Sequence, residues 1–251
     1  MLCHSFAIAR CRARSSPESF EQCSQDSLVQ HNRSRGQQLV TQLSAIPTET
    51  WLRTGPVTTP ADLEAVFGLR YQVYCQERRY LDCADYPDAL ESDAYDGHAV
   101  HFAAFDQCGS VAAAARLVLP VAGRGFPFQQ HASVFDSARL PPAECSAEVS
   151  RLVLNRGYRC PPGGGHMGSV VLGIYREMYR YSVENGITHW YAAMERPLHR
   201  LLSRHGFHFQ AAGPEVDYFG PVTIYAAEVT ALLAGARSSS RALHAWLRSG
   251  V

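Results

Sequence analysis

The sequence has no excess charge of either sign: 23 basic residues are matched by 23 acidic ones over 251 residues. That balance excludes broad attraction to nucleic acid or to an anionic membrane, and leaves only local basic patches open. Long apolar runs are missing too, and a membrane helix needs about 20 such residues. The N-terminus, "MLCHSFAIARCRARSSPESFEQCSQD", has no basic flank ahead of an uninterrupted apolar stretch, so no secretory leader is read there. The expected location is the cytoplasm. Eight cysteines occur (Cys3, Cys11, Cys23, Cys75, Cys83, Cys108, Cys145 and Cys160), yet none forms a CxxC pair. A four-thiolate zinc site is therefore not expected, and the cysteines read as free thiols. No internal repeat is visible.

What is present is the composition of a folded domain, 46% hydrophobic and 18% charged. Residues 1–46 are rich in Ser, Gln, Arg and Cys and lack an apolar period, which reads as a flexible extension. The domain is expected over 47–232, with 233–251 as a peripheral helix and tail. "TTPADLEAVFGLRYQVYCQERRYL" has helical spacing at Leu63, Val66, Phe67, Tyr71 and Tyr74, with Thr59 or Asp62 as cap. "AVHFAAFD" and "SVAAAARLVLP" read as a strand pair around a Gln-Cys-Gly-Ser turn, and "EVSRLVLN" as a further strand. A helix over "SVVLGIYREMYRYSVENG", a strand at "ITHWYAAM", a helix at "ERPLHRLLSRHG" and a strand or strand-helix element at "TIYAAEVTALL" follow. The order implies a mixed α/β (α+β) sheet in one domain.

The segment "AEVSRLVLN" contains an anomaly. It is short and apolar like a buried strand, yet it carries Glu148 and Arg151, and such residues are rarely buried unpaired. Strand alternation sends Glu148 and Ser150 to one face and Val149 and Arg151 to the other, unless a bulge intervenes. Two accounts stand. The charges are neutralised by Arg70, Arg116, Asp93 and Asp96 at the edges of neighbouring segments, or they line a cleft where a perturbed carboxylate transfers protons.

The series is also ordered along the chain. Arg70, Tyr74 and Tyr80 in "LRYQVYCQERRYL", Asp93 and Asp96 in "SDAYDGH", Arg116 in "ARLVLP", and Glu148 and Arg151 in "EVSRLVL" resemble the Arg, Phe and Trp, paired Asp, strand Arg and Glu-x-x-Arg of acyl-homoserine-lactone synthases. A closer resemblance is to the PEP-CTERM/exosortase system-associated acyltransferases and the related N-acyl amino acid synthases. It is carried by "HFAAF", "AEVSRLVL", "GITHWYAAMERPLHRLLSRHGF" and "GP" in "AAGPEVDYFGP", over roughly residues 60–230. Tyr74 and Tyr80 depart from the synthases' Phe and Trp, and "RCPPGGGH" matches no assigned motif.

The resemblance implies a GNAT-like acyltransferase fold whose two central strands splay apart. It implies transfer of a medium or long acyl chain from acyl carrier protein, or from acyl-CoA, to the amine of an amino acid or similar small acceptor. No permanently bound cofactor is expected; the acyl-phosphopantetheine is a co-substrate. Glu148, Arg151 and Arg70 are the expected catalytic residues, with Glu148 either the base or a structural partner of Arg70 or Arg151. Asp93, Asp96, Arg116, Tyr74, Tyr80, Trp190 and Tyr191 are expected around the substrates, although Trp190 and Tyr191 also fit core packing. Asp93 and Asp96 lack a neighbouring His/Cys pattern, so no metal is expected. His98 and His101 are expected to face solvent. His166, His189 and Tyr225 are lesser proton-transfer candidates, and Cys75 lacks an evident base for nucleophilic work. Arg156, Arg159, Arg200 and Arg204 form a candidate docking patch for acidic carrier protein. An autoinducer synthase using S-adenosylmethionine and a non-catalytic acyl-binding module of the same fold are the alternatives.

Overall fold

The computed structural model describes residues 52–135, 140–158 and 167–249. The proposed extension at 1–46, Arg159, Cys160 and the "PPGGGH" stretch lie outside the described residues. The chain enters through β1 (Arg53–Pro56) and α1 (Pro60–Tyr71), which runs on into a π-helical turn at Gln72–Glu77. Strands β2 (Ala99–Phe105), β3 (Val111–Val118) and β4 (Ser146–Leu154) follow, then α2 (Met167–Glu184), β5 (His189–Met194) and α3 (Arg196–Arg204). The fold closes with β6 (Gln210–Asp217), β7 (Pro221–Glu228), α4 (Val229–Ser239) and α5 (Arg241–Arg248). These seven strands form one mixed sheet in the order β1-β2-β3-β4-β5-β7-β6, in which only the β4–β5 pair is parallel.

Local chemistry accounts for α1. Thr59 accepts a bond from the Asp62 amide at 3.1 Å, Pro60 occupies the first turn, and Asp62 lies near the positive end of the helix dipole. Val66, Leu69 and Val73 then pack on Ala103, Phe105, Val111, Ala114 and Val153 of the sheet. The opposite sheet face is covered by α2 through Val170, Val171, Ile174, Tyr175 and Met178. Because helices lie on both faces, β3 is buried along its whole length, and its alanines at 112–115 keep the layers close.

Two strands escape the sequence patterns. β1 is Arg-Thr-Gly-Pro, with no apolar alternation, and β6 contains Gly213-Pro214 and a register shift between Ala211 and Glu215. The predicted boundary at 232 falls inside α4, and Leu243 and Leu247 of α5 are buried in the main core. Gly206 and Gly235 explain how α4 is held. A Cβ on Gly235 would stand 2.0 Å from the Gly206 carbonyl, and Gly206 has φ of 84°, so only hydrogen fits this contact.

Between β4 and β5 the parallel pairing ends at Val149 opposite Ala192. Beyond that point the two strands separate, and a cleft opens between their C-terminal halves. The mixed α/β class and the splayed centre expected from the sequence are both present.

Candidate active site

Strand β4 is irregular where it carries its charges. The β3–β4 register passes from Ala114 opposite Val153 to Arg116 opposite Ser150, so β4 uses one residue more than β3. Arg151 lies in this bulge with φ of 53°. A left-handed conformation is uncommon for a residue with a Cβ and persists only where its surroundings hold it. Plain alternation would separate Glu148 from Arg151; the bulge brings both to one cleft.

Arg151 is one of three guanidiniums in a buried ionic network. Arg70 donates through Nε to Glu91 at 2.5 Å and through both Nη atoms to Asp96, at 2.7 and 3.1 Å. Arg116 donates to Asp93 at 2.6 and 2.9 Å, to Asp96 at 2.6 Å and to the Ser150 hydroxyl at 3.0 Å. Arg151 reaches Glu91 at 3.1 Å and Asp93 at 3.0 Å. Three cations meet three carboxylates, so the network is neutral and each planar fork is matched to carboxylate oxygens. Every Lys/Arg position in the chain is in fact arginine. Burial alone would raise the Asp96 carboxyl, but the hydrogen bonds and charge of Arg70 and the charge of Arg116 bring it down to about 2. Asp93 is lowered in the same way, with Arg116 and Arg151 outweighing its burial.

Glu148 stands outside this exchange. It is 1% exposed, and its hydrogen bond comes from the Phe128 amide at 3.0 Å. It makes no ion pair with Arg70 or Arg151. Desolvation dominates: burial pushes its carboxyl up to about 8, against the pull of the Phe128 amide and of the Arg116 and Arg151 charges. A carboxyl of this kind exchanges its proton near neutral pH, where an ordinary one cannot.

The cleft has a volume of about 250 Å³. Glu148, Ser150 and Arg151 line it from β4, Met194 and Glu195 from β5 and its end, and Tyr175 from α2. Tyr74, Tyr80, Tyr218 and Phe219 supply an aromatic side, with Tyr80 stacked on Phe219 and donating to Glu195 at 3.2 Å. The π-helical turn after α1 positions Tyr74 and Tyr80, and the tight β6–β7 connection presents Tyr218 and Phe219. Arg151 lies 5.2 Å from the Tyr74 ring centre and 5.8 Å from that of Phe219, a cation–π contact on both sides.

Residues 69–164, which carry the whole ionic network and Glu148, match the acetyltransferase (GNAT) domain family. Solved structures with this fold include the acyl-homoserine-lactone synthase LasI, at 20% identity over 73% of this chain and 94% of that one, with a TM-score of 0.57. BjaI, a CoA-dependent acyl-homoserine-lactone synthase, aligns at 20% identity over 80% of this chain and 91% of its own, with a TM-score of 0.61. FeeM, an N-acyl amino acid synthase from uncultured soil microbes, aligns at 12% identity over 75% and 98%, with a TM-score of 0.50. At these identities the likeness concerns the fold. Among curated proteins, no sequence is similar enough to this chain to match it.

The expected site residues divide. Glu148, Arg151, Tyr74 and Tyr80 line the cleft; Arg70, Arg116, Asp93 and Asp96 do not, and they bear on it through Arg151, through the Ser150 hydroxyl that Arg116 holds, and through the Arg116 charge on Glu148. Trp190 corrects the expectation of a substrate contact: its ring packs on Tyr175 in the core and its Nε1 donates to Ser182 at 2.9 Å. Tyr191 likewise faces Phe126 and Phe128, and its hydroxyl donates to the Pro141 carbonyl at 2.9 Å. His101 is buried beside Asp96 rather than solvent-facing, whereas His98 is exposed. His189 bonds Thr188 at the start of β5, where the pairing is still intact, and Tyr225 stacks on His199; neither lines the cleft. Cys75 is buried, and desolvation raises its thiol to about 11, which removes the thiolate a nucleophile needs. Arg156, Arg200 and Arg204 are exposed. Among the described residues no helix is long and apolar enough to cross a membrane, and no cluster of three or more His, Cys, Asp or Glu is placed to hold a metal ion.

The residue that sequence reasoning missed is Glu91, fully buried between Arg70 and Arg151. Its signal was arithmetic: three buried arginines need three carboxylates, and "ALESDAYD" contains a third acid two positions before Asp93. Tyr218, Phe219 and Glu195 were missed as well. The first two sit before Gly220, whose φ of 102° makes "DYFGP" legible as a tight turn with aromatics at its tip.

Proposed function

We propose that this GNAT domain is an N-acyltransferase that moves a medium or long acyl chain from a phosphopantetheine thioester to the amine of an amino acid or similar small acceptor. The observation carrying this reading is Glu148, a buried carboxyl raised to about 8 in the wall of the cleft opened by β4 and β5. The acceptor nitrogen attacks the thioester carbonyl, forming a C–N bond as the C–S bond breaks. Glu148, directly or through a water, takes the amine proton, and the departing thiolate is protonated. A base near pH 8 is better matched to an ammonium than an ordinary carboxylate is. Because the β4–β5 ladder stops at Val149–Ala192, backbone amides beyond it are available to the oxyanion. Arg70, Arg116, Asp93, Asp96 and Glu91 hold Arg151 rigidly in its bulge, and the aromatic side of Tyr74, Tyr80, Tyr218 and Phe219 receives the acceptor.

The donor proposed is acyl carrier protein, engaged by exposed Arg200 and Arg204, one turn apart on α3, with Arg156 and Arg159. Acyl-CoA is the competing donor. The deciding experiment supplies purified protein with acyl carrier protein thioesters or acyl-CoA and measures free thiol with and without a panel of amines. Amine-dependent release supports the reading, and no release across the panel refutes it. A second reading, synthesis of acyl-homoserine lactone from S-adenosylmethionine, draws on the likeness to BjaI, whose structure is solved with SAM and isopentyl-CoA. Formation of homoserine lactone in the same assay would select it.

A further inference from the structure

The residues lining the cleft fall into two groups. Glu148, Ser150 and Arg151 stand beside the ionic network. Val149, Leu152, Tyr175, Ala192, Met194 and Leu198 line it too, and they belong to or pack against the core on the α2 side of the sheet. Strand alternation accounts for the division, since Glu148 and Val149 point to opposite faces. In the apolar group only Tyr175 has an O–H or N–H on its side chain. The acyltransfer steps give that hydroxyl no task.

Tyr175 is 1% exposed, and its ring packs edge-on against Trp190 at 5.9 Å and Phe207 at 6.0 Å between ring centres. In so close a packing the ring cannot swing its hydroxyl out to bulk water. Among the described residues nothing bonds to this hydroxyl, and it is not sealed in the core as the unpaired Tyr95 hydroxyl is. Its free surface is therefore that of the cleft the residue lines. Burial raises it well above the ordinary tyrosine range, and no ionised group adds to the shift. The hydroxyl thus stays protonated and stands apart from Glu148 and Arg151, where the amine reacts. A buried hydroxyl in this position normally marks an absent partner.

What the partner is follows from what the apolar group can satisfy. The thioester carbonyl has to lie beside the amine whose proton Glu148 takes, away from Tyr175. A pantetheine arm carries two amides, and an apolar wall with one hydroxyl would leave most of their polar atoms unpaired. An acyl chain with a single oxygen needs one polar partner and otherwise only apolar contact. Thioesters built by two-carbon condensation carry such an oxygen at C3, as a ketone or a hydroxyl, and a tyrosine O–H can donate to either. We propose that the acyl donor is a 3-hydroxyacyl or 3-oxoacyl thioester, selected by a hydrogen bond from Tyr175 to its C3 oxygen. This rests on the acyltransfer reading, and makes Tyr175 the specificity-determining residue for the donor.

The test begins with binding, in the absence of any amine. Decanoyl-, 3-hydroxydecanoyl- and 3-oxodecanoyl-pantetheine are each titrated into the full-length protein, with binding read by calorimetry. At least one oxygenated donor should bind about tenfold tighter than the decanoyl compound, the effect of one buried hydrogen bond. Tyr175→Phe keeps the ring and removes a hydroxyl that bonds nothing in the protein, so it should fold, which urea unfolding checks. The variant should bring the oxygenated donors down to the decanoyl affinity. Equal binding of all three by the wild type, binding of none, a preference that survives Tyr175→Phe, or the same loss for all three donors would overturn the assignment. Thiol release separates the two ideas. If amines release thiol equally well from all three donors at low concentration, the C3 assignment falls and acyl transfer stands. If no amine supports release while the oxygenated donors still bind selectively, acyl transfer falls alone.

Discussion

Replacing Glu148 with Gln separates its electrostatic role from its shape. In the folded protein the carboxyl is raised to about 8, whereas in the unfolded chain it titrates near the ordinary glutamate value of 4.5. Between those values the folded state holds a proton that the unfolded state has released, so stability falls as pH rises. The sign is opposite to that of a salt-bridged acid: the full benefit is present below pH 4.5 and is lost as pH climbs through 8. The ceiling of the effect is roughly 5 kcal/mol at 1.36 kcal/mol per pH unit, of which about 2–3 kcal/mol falls between pH 6 and 8.5. The glutamine side chain would keep an acceptor for the Phe128 amide and would have no proton to lose. The assay is urea unfolding of both proteins at pH 6 and pH 8.5. The wild type should lose about 2–3 kcal/mol more than the Glu148→Gln variant over that interval, while other titrating groups cancel in the difference. Parallel pH profiles would refute the burial argument. Thiol release by the same variant should drop by about 10²–10⁴, the range for loss of a general base. In the wild type, release should rise with pH toward a plateau above 8.

Glu91→Gln leaves Arg70 and Arg151 short of one buried charge and should destabilise the fold by roughly 3–5 kcal/mol, read from urea midpoints. Asp96, held at about 2, contributes stability that is present above pH 4 and lost as pH falls through 2. Asp96→Asn should therefore lower stability at pH 6 and make the acid limb between pH 4 and 2 shallower by about one proton. Substituting both Arg200→Glu and Arg204→Glu should weaken transfer from acyl carrier protein about tenfold while transfer from an acyl-pantetheine mimic is unchanged; equal loss with both donors would sink the docking assignment.

Much of the site was readable because ionic groups in apolar segments are rare. Arg70, Arg116 and Arg151 stand out in buried strands and helices, and Asp93 and Asp96 are the acids a neutral network demands. Trp190 and Tyr191 could not be sorted in this way. An aromatic on a central strand looks the same in sequence whether it faces a cleft or the helix layer, and here Ser182 and Pro141 take their polar ends. His101 was misread for a related reason. Its neighbour His98 is exposed, and only the packing of Phe67 edge-on against the imidazole shows that the two differ.

The sequence alone determined the order of the helices and of the strands other than β1 and β6, the mixed α/β class and the charged series from Arg70 to Arg151. Periodicity, capping and the rarity of buried charge are local rules, and they suffice for this. Tertiary structure decided which face each charge occupies. The bulge that turns Arg151 toward Glu148 depends on β3 pairing, a long-range register that no window of residues contains. It also decided that, among the described residues, Glu148 has no cationic partner at ion-pair distance, and a carboxyl that is buried and unpaired changes its proton affinity. The chemistry proposed here depends on that burial, which is a property of the fold.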